Sequence, residues 1–288
     1  TTLFRSEGWY EGTVTVQQEH FASALALRQL EALLASLPAP TRNGRIIVAC
    51  PPHELHTFSP LMISLLLRRQ GWDVVYLGAN VPVERMEHLV EQIKPLLVVM
   101  PTQTLTAAAN LLTMAQRLQE MKVPLAFGGK VFNHIPEVVD VIPGYYLGKT
   151  LDNVVDVIES VVQAAPTPGK VKKASKAYEA AYQHFIEKRS AVEARLHGLP
   201  QLSAMPTRLL TITNKELGDN IEAALLLGDL EMLSANIAWV QGLLLNNHQR
   251  LGEPTLKDYL KGYYEVVKSE MDQRARPVVT WFEHLEFI

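Results

Sequence analysis

Between residues 45 and 165, short apolar runs alternate with helical patterns. Runs at 45–50, 73–77, 96–100, 124–127 and 145–147 have strand length, and helical spacing fills segments near 58–70, 83–94, 105–121, 134–140 and 150–164. A strand joined to its neighbour through a helix pairs in parallel, so this rhythm predicts a doubly wound α/β sheet. The run Leu97, Val98, Val99, Met100 has no polar alternation. It suits a central strand covered on both faces.

The flanking segments differ. Residues 1–44 read as a short irregular start followed by a helix, with Phe21, Leu25, Leu30, Leu33 and Leu34 at helical spacing and Pro38 and Pro40 ending it. Residues 166–173 hold Pro, Gly and Lys and mark a linker. Residues 174–288 read as an all-α bundle. A first helix stops near Gly198 and Pro200. A region from 214 to 249 holds one helix or two, since Gly228 and Asp229 sit where a cap or break would fall. A last stretch runs from 255 to about 286, with Pro277 marking a kink or break.

Hydrophobic residues make up 48% of the 288 and charged residues 20%, which is a globular balance. A net charge of −3 gives no support for binding nucleic acid or an anionic membrane. The single cysteine, Cys50, excludes an intramolecular disulfide, suits the cytoplasm and reads as a buried thiol. No apolar run reaches the ~18 residues of a membrane span, and no signal peptide is visible.

The chemistry concentrates on loops. Glu54 and His56 lie just after the first strand, where open α/β sheets bind ligands. A histidine with a carboxylate two residues before it suits a metal ligand oriented by an acid. The phrase from Glu54 to Ser59 resembles the acid-x-His-x-x-Gly loop of cobalamin-binding domains, with Ser59 in place of the small residue. Three further phrases are similar to that family and follow its order: the stretch from Gly71 to Pro82 with Gly78, then Thr102 to Thr104, then Gly128 and Gly129. The resemblance implies that His56 takes the lower face of cobalt. It also implies that Thr102 lines the slot for the nucleotide tail, with Thr104 and the glycines beside the cofactor. His53 does not fit the spacing and reads as structural or as a support to the ligand.

Trp9, nine intervening residues, then Glu19 and His20 resemble the signature of light-sensing cobalamin domains of the CarH-type photoreceptor repressors. The resemblance implies that Trp9 walls the upper, adenosyl face and that Glu19 and His20 contact adenosyl. Tyr10 stands where those repressors can carry a second cobalt-binding histidine, so a bis-histidine product of light is not expected from that position. No basic helix-turn-helix precedes the domain in these residues, so direct operator binding is not expected.

The order of a cobalamin domain and then a helical domain resembles the photocobilins, which implies biliverdin as a second chromophore. By residue type, Arg250, Arg274 and Arg276 suit its propionates, His248 its pyrroles, and Trp239, Tyr263 and Tyr264 its π-face. Any single aromatic reads more readily as the core of a partner-binding or dimerising bundle. The expectation is a non-enzymatic light sensor. It binds adenosylcobalamin, switches on photolysis of the Co–C bond, and assembles as a light-dependent homo-oligomer that contacts an output protein or domain. Two alternatives stay open: a methyl-carrier domain of a corrinoid methyltransferase system, and a cobalamin-dependent regulatory or dimerisation module without bilin.

Overall fold

A computed structural model describes residues 15–164, 169, 171–234 and 253–285. The chain divides into two compact units between Val171 and Lys172.

The first unit is a parallel sheet of β1 (Arg45–Ala49), β2 (Asp73–Gly78), β3 (Leu97–Pro101), β4 (Leu125–Gly128) and β5 (Tyr145–Tyr146), in the order β2-β1-β3-β4-β5. The register pairs Ile46 with Val74 on one side and with Leu97 on the other, and Val99 with Ala126. Every residue of β3 is buried, as its unbroken apolar run requires. Four helices connect the strands, α2 (Phe58–Arg69), α3 (Met86–Ile93), α4 (Leu105–Glu120) and α5 (Lys130–His134), and α6 (Val154–Ala164) follows β5. Ile63 and Leu67 of α2 join Val154, Ile158 and Val161 of α6 over Ile46, Val48, Leu97 and Val99 to form one core. The alternate residues Ile47, Val98 and Met100 are equally buried, so both faces of the sheet are covered.

The helix expected near 134–140 is instead split. α5 ends at His134, and Pro136 opens a 3-10 turn, Pro136–Asp140. Proline lacks the N–H that a continuing α-helix needs.

Ahead of the sheet lies α1 (Val16–Ala35), started by a capping box between Thr15 and Gln18. Leu27, Leu30 and Leu34 pack on Phe58, Leu61, Met62 and Leu65 of α2. Phe21, Leu25 and Leu33 share the helical spacing but face outward, at 67%, 41% and 52% exposure.

The second unit holds α7 (Lys176–Leu196), α8 (Thr207–Leu227), α9 (Glu253–Glu270) and α10 (Arg276–His284). α7 packs against each of the other three. α8 starts seven residues before the expected 214 and stops at Gly228, whose φ of +87° lets Gly228 N–H and Asp229 N–H turn back onto Ala224 and Leu225. The last stretch breaks at Met271–Ala275. Asp272 caps a 3-10 turn there by accepting Arg274 N–H, and Pro277 begins α10 rather than kinking a longer helix.

Among the described residues no helix is long and apolar enough to cross a membrane.

Candidate functional site

β1 lies between β2 and β3, and the chain runs from β1 to β2 on one side and from β3 to β4 on the other. The loops after β1 and β3 therefore diverge and open a crevice at the carboxyl ends of the strands. Glu54 stands in that crevice, fully buried. Its Oε1 accepts His56 N–H at 2.9 Å and lies 2.7 Å from His56 Nδ1; its Oε2 accepts Gln103 N–H at 2.6 Å. One carboxylate thus joins the β1 loop to the β3 loop across 49 residues of sequence.

The consequence for His56 is geometric. An ionised Glu54 accepts from Nδ1–H, which fixes the tautomer and leaves Nε2 with its lone pair. The His56 side chain is 61% exposed, so Nε2 is presented outward while Nδ1 is held inside. The hydrogen bond that His56 donates to Glu54 raises the imidazole above its usual range and outweighs burial, which lowers it; the Glu54 charge adds to the rise and Lys130 opposes it. The donor set is one oriented imidazole. Among the described residues no group of three His, Cys, Asp or Glu gathers to hold a bare ion. This arrangement fits a metal that carries equatorial ligands of its own and needs a single axial one.

The surrounding loops are braced. Asn80 N–H donates to Glu54 O at 3.1 Å, and His53 N–H donates to Asn80 Oδ1 at 2.9 Å. His53 and Asn80 both have left-handed backbone, at φ +66° and +53°, a cost a rigid site can impose on non-glycine residues. His53 thus braces the loop through its backbone. Cys50 is buried, and burial together with the nearby Glu54 charge pushes its thiol up to about 12, so it is an inert structural thiol.

Thr102 is fully buried; its N–H donates to Gly128 O at 2.8 Å and its hydroxyl to Met100 O at 3.3 Å. Thr104 caps α4 by accepting Ala107 N–H at 3.2 Å. Gly129 is set against Thr102: a Cβ there would lie 2.2 Å from Thr102 O, and φ is +125°. Gly78, at φ +75°, faces open space. Ser59 lies half-buried in the first turn of α2. The structure therefore brings Glu54, His56, Thr102, Thr104, Gly128 and Gly129 to one end of the sheet. Reading the sequence missed Gln103, which Glu54 touches; its importance comes from residues 49 and 27 positions away.

Trp9 and Tyr10 lie outside the described residues, as does the side chain of Glu19; His20 is exposed on α1. In the second unit, Trp239, His248 and Arg250 lie outside the described residues. Tyr263 is fully buried and stacks on Phe282 at 5.6 Å. Tyr264 donates to Glu283 at 2.9 Å. Arg274 is bound to Asp272 through Nε and Nη2 at 2.9–3.2 Å. Arg276 is exposed at the start of α10.

Comparison with known proteins gives a concordant result for the first unit. Residues 44–149 match the family described as the B12 binding domain. Over 114 residues the chain is 33% identical to the HTH-type transcriptional repressor CarH of Myxococcus xanthus, covering 40% of this chain and 38% of that protein. Over 80 residues it is 32% identical to the HTH-type transcriptional repressor CarA of the same organism, covering 28% of each. The chain thus spans well under half the length of the curated relatives it matches. The methanol:cobalamin methyltransferase complex MtaBC from Methanosarcina barkeri overlays with a TM-score of 0.38 at 20% identity, over 56% of this chain and 62% of that one.

Proposed function

We propose that this chain is a light sensor that binds adenosylcobalamin in its α/β unit and biliverdin in its helical unit. The observation that carries the cobalamin reading is His56: an outward imidazole whose inner nitrogen is held by a fully buried carboxylate, within the stretch that matches the B12 binding domain. Bound adenosylcobalamin would supply a Co–C bond that light can break. The chain's own part is to orient and to exclude. Glu54 fixes the ring of His56, Thr102 and Gly129 hold the β3 and β4 loops together, and Trp9, Glu19 and His20 would enclose the adenosyl group.

The similarity to two transcriptional repressors supports a regulatory module over a methyl-carrier domain. On this reading the chain turns over no substrate, works in the cytoplasm, and signals by a light-dependent change in homo-oligomeric contacts or in contacts with an output protein. The second chromophore has a separate support. Asn214 Nδ2, Tyr263 OH and Trp281 Nε1 are buried in the helical unit without a hydrogen-bond partner, and Tyr263 and Trp281 both pack on the Phe282 ring, one stacked and one edge-on. Donors in an aromatic setting suit a conjugated ligand with carbonyl and carboxylate oxygens.

The test is an absorption spectrum of the protein with adenosylcobalamin and biliverdin, in darkness and after green light. Conversion of bound cobalamin beside a red-shifted bilin band is the expected result, and His56→Ala should abolish the histidine-ligated cobalt spectrum. Bound cobalamin with no bilin band would reduce the helical unit to an interaction module. A cobalamin spectrum that light leaves unchanged, or one that His56→Ala leaves unchanged, would refute the sensor or the ligand assignment respectively.

A further inference from the structure

We infer that Gln103 is a specificity residue of this site, its side-chain amide donating to an acceptor oxygen on the bound cofactor. The inference rests on the cobalamin reading above. Gln103 uses three of its polar groups differently. Its backbone N–H donates to Glu54 Oε2 at 2.6 Å, and its side-chain Oε1 accepts Lys130 N–H at 3.0 Å. The residue thereby ties together the loops after β1, β3 and β4, three adjacent strands. Its third group, Nε2, is shut away from water and has no partner.

That orphan is not an artefact of which way the amide is turned. Exchanging oxygen and nitrogen would set an NH2 against the Lys130 N–H, donor against donor. The hydrogen bond from Lys130 therefore fixes where the two N–H donors point. Buried donors without acceptors are rare in native proteins, and each one calls for a missing partner. Here the orphan belongs to the residue whose backbone N–H binds the carboxylate that orients His56, at the crevice where a ligand is expected.

The acceptor's chemistry follows from the neighbours. Lys130, whose backbone N–H donates to Gln103 Oε1, opens α5 at the same end of the sheet. An amide N–H2 suits an oxygen acceptor, either a neutral amide carbonyl or an anionic phosphodiester. Cobalamin carries both, carboxamides around its ring and a phosphodiester in its tail. Cobinamide keeps the ring carboxamides and lacks the nucleotide tail.

The experiment compares wild type, Gln103→Leu and Gln103→Glu in the full chain, titrating cyanocobalamin and dicyanocobinamide by absorbance. Gln103→Leu removes both side-chain hydrogen bonds. Gln103→Glu keeps an oxygen for Lys130 N–H but removes the donors. Loss of the donated bond should weaken cobalamin about 10-fold in both variants, with the histidine-ligated spectrum retained at saturation. Equal loss for both corrinoids would assign the acceptor to the ring, and loss for cobalamin alone would assign it to the tail; both support the proposal. If Gln103→Glu binds as wild type does, Gln103 only braces the Lys130 turn and the proposal is overturned, whether or not Gln103→Leu folds. If wild type binds no corrinoid, the cobalamin reading itself fails and takes the proposal with it.

Discussion

Replacing Glu54 by glutamine is the sharpest perturbation of the site. The carboxylate has no exposed surface, and it meets three N–H groups: His56 N, His56 Nδ1 and Gln103 N. Glutamine has almost the same shape but only one acceptor oxygen. Whichever way it turns, its NH2 faces an N–H at one of its two ends. A hydrogen bond to a charged group contributes about 1.5–3 kcal/mol, and a buried donor left unpaired costs about 1–3 kcal/mol. A neutral amide is cheaper to bury than a carboxylate, which offsets part of this. The net loss should be about 2 kcal/mol of folding stability in the α/β unit. The ligand effect is separate. Weakening the group that orients a metal-bound histidine typically costs 10–100-fold in affinity, or ~1.4–2.7 kcal/mol. Urea denaturation without ligand measures the first quantity, and absorbance titration with cobalamin measures the second. Lower stability with unchanged affinity would make Glu54 a loop brace with no role in presenting His56. Both quantities unchanged would refute the reasoning outright.

Gly129→Ala should destabilise the α/β unit by more than the ~1–3 kcal/mol of backbone strain, because its Cβ would lie 2.2 Å from Thr102 O. Gly78→Ala, also at positive φ but facing open space, should cost the strain alone; equal denaturation midpoints for the two variants would contradict the packing argument. In the helical unit, burial pushes the Asp219 carboxyl up, but hydrogen bonds from Lys215 and Arg189 and their charges hold it below the usual range. A carboxyl lowered in this way contributes stability that is fully present above its unfolded pKa of about 3.9 and is lost as pH falls through the lower folded value. Urea midpoints of the helical unit should therefore drop on acidification below about pH 4, and Asp219→Asn should flatten that dependence; a variant with the wild-type pH profile would exclude Asp219 as the cause.

Much of the α/β unit was legible because its signals are local. The apolar runs place all five strands to within a residue or two, most plainly β3 and β4, since a strand covered on both faces has nowhere to put a polar side chain. Glu54 and His56 were legible because two residues apart on one loop is enough to pair them. Gln103 was not, because only the parallel pairing of β3 with β4 sets it beside Lys130. Helix ends misled where long-range contacts or caps decide them. Pro277 looked like the breaker, but Asp272 ends the preceding stretch by capping a new turn. In α1, spacing grouped Phe21, Leu25 and Leu33 with Leu30 and Leu34, yet only the second pair meets α2. Periodicity reports that a face is apolar without saying what covers it.

The hydrogen-bonded line from His56 through Glu54 and Gln103 to Lys130 crosses three strands that are far apart in the chain. The last of its links, from Lys130 N–H to Gln103, is not available to a polypeptide that stops short of β4. During synthesis, the loop bearing Glu54 and His56 emerges well before Gln103 and Lys130, which complete the line. A cofactor that needs this line intact would find no partner on a nascent or truncated chain. It would bind only finished domains and pull the folding equilibrium towards them by mass action. Cofactor loading would then serve the cell as a quality mark, separating complete α/β units from arrested ones before any signal is read.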